Sequence, residues 1–403
     1  MGIIDLFSLK PTPAKFATLM SDTIRQQGIT EPIRFDQDAF SLVIGSDGSR
    51  VINLYNAYND YCRAAKGDRA QIIAEYATGF APPTVPTSLA DARANLLPIL
   101  RNRAMPEFMR LDQLAGSDDP GDALAALPFS DDTVLMLAHD GEHALQTLGT
   151  ATLKEWGVNI EECLPIALDN LRERSVSRFE QVAPGVFVGT WSDSYDTSRL
   201  LLPDLVYQLD LGGEPVMMIP TRGCLLATCA NNLAGMLAMV DLAQRFGEEE
   251  ARQVSTLMYR FQNGRPVQYV PDEQVAAALM PLQLKTMAFD YRLQKERIDK
   301  FHERKGIDIY VAGCELMRGP DGKLVTMSVW TEDVATLLPK TDMVVLNRLD
   351  ADGQPLGMVA VHWDELASKT GALVLFDSSY PPRYRTTDFP STALCDTLVT
   401  IEL

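Results

Sequence analysis

The sequence predicts an α+β protein: a small N-terminal helix/strand unit, a central α+β domain, and a strand-rich C-terminal α+β domain whose element order repeats part of the central one. Three observations predict it. Apolar residues recur at helical spacing in some segments and alternate in others. Asn263-Gly264 lies between the apolar runs 257–261 and 267–270, a pair that favours a two-residue hairpin turn. A strand ending in Trp, a Leu-Leu-Pro triplet and a further strand occur twice. The first set is 186–191, Leu201-Leu202-Pro203 and 215–219; the second is 325–330, Leu337-Leu338-Pro339 and 355–359.

Taken in order, Thr12-Pro13 reads as an N-cap with proline at the first helical position. Phe16, Met20 and Ile24 then share a face, and Gly28 can end the helix. Residues 40–44 alternate as a strand, Asp47-Gly48 is a turn, and helical character returns around Leu54, Tyr55, Tyr58, Ile72 and Tyr76. The run Ala81-Pro82-Pro83-Thr84-Val85-Pro86 separates this unit from the remainder of the chain, which sets domains at 1–82, 87–283 and 284–403. In the central part, 134–138 reads as a buried strand and Asp140-Gly141 as a turn. Asn159 can cap a helix carrying Cys163, Ile166, Ala167 and Leu171, and 233–247 is an apolar helix. Met287, Tyr291, Gln294, Ile298 and Phe301 form a helical stripe opposite a solvated charged face, and the chain is strand-rich from Ile307 onward.

Composition narrows the function classes. A chain of 403 residues fits two or three domains, and 46% hydrophobic with 22% charged residues is globular, not disordered. With 36 basic against 54 acidic residues the net charge is −18, a poor basis for binding nucleic acid or an anionic membrane. No apolar run reaches the roughly 18 residues of a membrane span. The N-terminal Met1 to Leu6 has no basic region or long apolar stretch, and Leu6 stands where a myristoylation motif prefers Ser or Thr. Six scattered cysteines without a Cys-x-x-Cys pair read as reduced, mostly buried thiols, so the expected location is the cytoplasm.

Two constellations could carry chemistry. His139-Asp140-Gly141-Glu142-His143 has the His-x-x-Glu-His spacing: on a helix, His139 and His143 would share a face and grip Zn²⁺, with Glu142 as base of a metal-dependent hydrolase. Asp140-Gly141 is a turn pair and the preceding run is a strand, so a solvent-facing hairpin turn without cofactor is the expected structure. The second set is Asp193, Ser194, Tyr195, Ser198 and Arg222, polar groups at strand ends that could bind a small anion through the Arg222 guanidinium. Its competing reading is capping by Asp193 or Ser194, with Arg222 neutralising the acid. No Gly-x-Ser-x-Gly elbow, phosphate loop or dinucleotide fingerprint occurs. Trp191, Trp330 and Trp363 at strand ends are expected to be core anchors. Arg383-Tyr384-Arg385, after Tyr380-Pro381-Pro382, is too small a basic patch for nucleic acid.

Several segments occur along the chain in a set order: residues 33–42, 53–58, Leu97-Pro98-Ile99-Leu100-Arg101, 167–171, 193–202 and Ile219-Pro220-Thr221-Arg222-Gly223-Cys224-Leu225-Leu226. In that order and spacing, residues from Phe16 to about Val270 resemble the YtpQ-like bacterial family of unknown function, with an additional C-terminal region. The resemblance implies a bacterial protein and a strand–turn–strand around 134–143, and brings no activity or catalytic residue. Gly223 stands where the family tends to place an acid. The resulting expectation is a non-enzymatic cytoplasmic protein-interaction or binding module, engaging a basic protein partner or itself. Its alternatives are the His139/Glu142/His143 hydrolase and the Arg222 anion binder.

Overall fold

A computed structural model of the chain describes residues 11–37, 40–44, 50–78, 86–117, 122–141, 145–249, 252–319, 322–350, 352–376 and 379–401. Asp47-Gly48, residues 81–85, Glu142 and His143 lie outside them. The fold is α+β, and among the described residues no helix is long and apolar enough to cross a membrane. The chain divides into two compact units, one of Met1–Leu97 with Leu137–Asn170, the other of Pro98–Met136 with Leu171–Leu403.

The first unit opens with the helix Pro13–Gln26. Thr12 caps it by accepting from the Lys15 amide at 3.3 Å, and Gly28 follows at φ +94°. An antiparallel meander of Ile33–Asp36, Ser41–Ile44 and Arg50–Asn53 comes next, then the helices Tyr55–Arg63 and Arg69–Thr78. Phe16, Met20, Ile24, Leu42 and Ile44 are fully buried together, and Phe16 meets Tyr58 and Tyr61 edge-on at 5.3 Å. Later in this unit Asn159 and Glu162 exchange side-chain to backbone hydrogen bonds of 2.9 Å each. This capping box starts the helix Ile160–Glu173 where the sequence placed a cap.

The second unit contains a six-stranded antiparallel sheet in the order Arg265–Tyr269, Met258–Gln262, Pro215–Met218, Leu226–Cys229, Val186–Gly189, Phe179–Ala183. Asn263 and Gly264 take φ +52° and +70°, the turn that joins the first two strands in the expected hairpin. Met236, Met239 and Ala243 of the helix Leu233–Glu249 pack on Val216, Met218 and Leu226, joined by Val275 and Leu279. Gly189 has a steric reason: a methyl built on it would collide with the Trp191 ring. That ring is 8% exposed, meets Phe179 at 5.0 Å and donates from Nε1 to the Val176 carbonyl at 2.7 Å. Gly189→Ala should therefore cost about 1–3 kcal/mol by overpacking and alter the near-ultraviolet circular dichroism. An unchanged melting temperature and spectrum would show that the ring has room to move.

The helix Glu273–Lys305 organises the rest. Asp272 caps its start by accepting from the Val275 amide, and Gly306 ends it at φ +64°. The sequence stripe from Met287 to Phe301 lies inside this helix, which begins well before the stripe does. Pro281 argues locally for a break, but buried Val275, Leu279 and Leu282 hold the preceding turns to the core. The position 283/284, where the sequence suggested a boundary, lies within the helix. Beyond it come a five-stranded sheet in the order Glu315–Arg318, Leu324–Thr331, Met343–Leu349, Pro355–His362, Thr400–Ile401 and a four-stranded sheet in the order Tyr310–Val311, Thr336–Pro339, Arg383–Thr386, Leu373–Phe376. Trp330 and Trp363 are buried among Leu338, Val344 and Val361. The two Leu-Leu-Pro triplets differ: Leu201 ends a 3₁₀ turn and Pro203 starts a short helix, whereas Leu337-Leu338-Pro339 is strand.

Candidate functional site

His139 lies on the strand Thr133–Asp140, paired opposite Gln146 of the strand Leu145–Thr147. It is 7% exposed, and burial lowers its pKa against the opposing charge of Asp140. Its expected companions Glu142 and His143 lie outside the described residues. Among the described residues no three His, Cys, Asp or Glu side chains are grouped to hold a metal ion.

The set around Asp193 forms a tight loop with an arginine inside it. That arginine is Arg199, not Arg222. Its Nη1 and Nη2 donate to the two Asp193 oxygens at 2.7 and 2.6 Å, its Nε donates to Ser175 Oγ at 2.9 Å, and it lies 4.5 Å over the Trp191 ring. Burial works to raise the Asp193 pKa, but hydrogen bonding and the charge of Arg199 hold it below the ordinary carboxylate range. Ser192 and Ser194 take φ +55° and +70°, a conformation secured by Asp193 accepting from the Tyr195 amide and Asp196 accepting from the Ser192 amide. Ser198 is fully buried, and its hydroxyl, like that of Thr197, has no hydrogen-bond partner among the described residues. Asp193 thus serves the loop, and the guanidinium that meets it is that of Arg199.

A different site is built where the second unit brings together segments far apart in sequence. A cavity of about 360 Å³ is walled by Gln283, Thr286, Met287, Asp290 and Tyr291 of the long helix. Asp132 enters just before the strand Thr133–Asp140 and Thr256 just before Met258–Gln262. Thr326, the Lys340–Asp342 loop and Tyr380 with its two prolines complete the lining. Two of its acids are fastened by a neighbouring threonine. Asp132 Oδ2 accepts from the Thr256 amide at 2.9 Å, and Asp342 Oδ2 accepts from the Thr326 amide and hydroxyl at 2.7 and 2.8 Å. Asp132 also accepts from Ser255 Oγ at 2.8 Å, Thr133 Oγ1 at 2.8 Å and Ser130 Oγ at 3.1 Å. Burial raises its pKa, and the hydrogen bonds from Thr256, Ser255, Thr133 and Ser130 oppose the rise.

Asp290 is different. It is 8% exposed, and its only hydrogen bond among the described residues comes from Asn102 Nδ2 to Oδ2 at 3.1 Å. Its other oxygen has no donor among those residues, and the residue lines the cavity. Burial, with a further push from the charge of Asp132, raises its pKa to about 7 despite the Asn102 bond. The same burial and the charges of Asp132 and Asp290 raise the Tyr380 pKa, so its phenol stays a hydrogen-bond donor. Lys340 and Asp342 are exposed, whereas Asp290 and Tyr291 are buried. Sequence reading missed this site. The available signal was Asp290 itself, an acid three residues after Met287 and four before Gln294, hence on the apolar stripe and not on the charged face.

No family model, curated protein or solved structure matches this chain.

Proposed function

We propose that the chain is a binding protein for a small organic cation, held in the cavity of Asp132 and Asp290. The observation that carries this reading is the buried Asp290 carboxyl on the cavity wall, which has Asn102 as its one hydrogen-bond donor among the described residues. A buried carboxyl near neutrality in its pKa is poorly compensated, and a protonated amine or guanidine donates hydrogen bonds and supplies the missing charge. The lining supports binding over catalysis: it holds no histidine or cysteine, and the Thr326 hydroxyl already donates to Asp342. Asp132 is committed to its own donors and adds field more than contact.

The test is thermal stabilisation of the whole chain by putrescine, agmatine and ethanolamine at about pH 8, with neutral 1,4-butanediol as control. At least one amine should raise the melting temperature, by an amount following the logarithm of its concentration. The effect should shrink at about pH 5.5, where Asp290 is protonated and accepts less charge. It should vanish in Asp290→Asn. Equal stabilisation by the diol, or an amine effect intact in Asp290→Asn, would count against the reading.

A further inference from the structure

The lining of the Asp290 cavity carries more charge than a simple amine uses. Besides its buried acid it contains Lys340 and Asp342, both exposed, on the loop between the strands Thr336–Pro339 and Met343–Leu349. Lys340 is held by its backbone. Its amide donates to the Tyr291 phenol at 3.0 Å, and that phenol donates to the Pro382 carbonyl at 2.8 Å. The Lys340 side chain makes no hydrogen bond or ion pair among the described residues, so its ammonium is left to solvent or to a ligand. Asp342 is held by one oxygen. Oδ2 accepts twice from Thr326, the Asp342 amide donates back to Thr326 Oγ1 at 2.9 Å, and Oδ1 has no donor among the described residues.

The two ends of the cavity are fastened to each other. Tyr291 follows Asp290 on the long helix, and its phenol is what holds the Lys340 loop. One tyrosine side chain and a 3.0 Å hydrogen bond therefore separate the Lys340 amide from the helix turn that carries Asp290. Between them, Met287, Pro381 and Pro382 supply apolar lining. The span suits a ligand whose two polar ends are joined by about three or four methylenes.

On the reading that Asp290 holds a cation, we propose that the ligand is a basic α-amino acid. Its distal amine or guanidine meets Asp290, and its α-carboxylate and α-ammonium meet Lys340 and Asp342. A diamine satisfies Asp290 but brings a second cation to Lys340. An amino-acid head offers one charge of each sign to one residue of each sign. Because Lys340 and Asp342 are exposed, this end sets selectivity more than affinity.

The experiment compares ligands that differ by one carboxylate. L-Arginine with agmatine, and L-ornithine with putrescine, are titrated as chloride salts against the full chain at about pH 8, and the melting temperature gives an apparent Kd for each. L-Norvaline, which has the head and no distal cation, completes the set. In at least one pair the amino acid should bind about threefold or more tighter than its decarboxylated counterpart, and norvaline should bind more weakly than ornithine. Lys340→Gln should bring that ratio to about one. The control Lys285→Gln, exposed on the same helix and outside the lining, should keep it. Amines that stabilise the chain while neither amino acid binds tighter than its counterpart overturn this proposal and leave the amine reading standing. A ratio unchanged in Lys340→Gln also overturns it. No stabilisation by any of the four, or norvaline binding as tightly as ornithine, overturns both readings.

Discussion

Asp290→Asn should make the protein more stable than the native chain at neutral and alkaline pH, and equal to it in acid. The folded-state pKa of Asp290 is raised from the ordinary 3.8 to about 7. Below the unfolded value both states hold the proton and nothing is lost. Between about pH 4 and pH 7 the unfolded chain gives up its proton while the folded chain keeps it, so native stability falls as pH rises. Three pH units of this kind amount to roughly 4 kcal/mol, complete above about pH 7. Asparagine has the same shape, can still accept from Asn102 and carries no charge to bury. Denaturation of both proteins at several pH values should show the curves diverging through that window, with the variant several degrees higher at alkaline pH. Superimposable curves would mean that Asp290 ionises as in an exposed loop, and the proposed amine site would lose its footing.

The opposite sign and a comparable size are expected at Arg383. This side chain is fully buried and has no carboxylate partner among the described residues. Its Nε donates to Gln294 Oε1 at 2.7 Å, Nη1 to the carbonyls of Ala312 and Leu337 at 2.9 and 3.2 Å, and Nη2 to the Tyr291 carbonyl at 3.1 Å. One guanidinium thereby fastens the long helix to the strand Thr336–Pro339 and to the chain end of Tyr310–Val311. Gln294 and Tyr291 add bonds of 2.8 Å to the carbonyls of Pro381 and Pro382. Arg383→Met removes the donor from Gln294 Oε1 and from the Ala312 carbonyl, each at about 1–3 kcal/mol, while the Leu337 carbonyl keeps the Ala312 amide and the Tyr291 carbonyl its helix bond, so a loss of at least about 2 kcal/mol is expected. Arg383→Lys keeps the charge but replaces a planar fork by a point donor and should recover less than half. Urea denaturation of the two variants measures this. A methionine variant as stable as the native protein would show that water reaches these carbonyls.

The parts of the fold legible in the sequence are those set by neighbouring residues. Thr12 caps its own helix three residues on, Asn159 and Glu162 close a capping box, and Asn263-Gly264 turns its hairpin without help from elsewhere. Local rules mislead where distant packing overrides them. Pro281 sits inside a helix because the apolar residues around it are needed in the core, and Leu337-Leu338-Pro339 is strand because Arg383–Thr386 pairs with it. The sites divide in the same way. Arg222 was visible as a charged residue after a strand, and Asp193 as an acid before a turn. Arg199 as the true partner of Asp193 depends on contacts that no spacing encodes. Asp132 and Asp290 meet only after the whole second unit has formed, and no motif spans them.

The interleaving of the two units bears on how the chain is made. A ribosome releases residues 98–136 early, yet they belong with residues 171–403. Asp132 waits for Ser255, 123 positions later, and at a synthesis rate of roughly 5–20 residues per second that delay is about 6–25 s. During it Asp132 has the donors Ser130 and Thr133 beside it, while Ser255 and Thr256, which complete its hydrogen bonds, are still being made. The nascent chain thus holds Asp132 with only part of its hydrogen bonds for longer than a chain of two consecutive domains would, although the strand beside it already has its sheet neighbours Leu96–Asn102, Ala126–Pro128 and Leu145–Thr147.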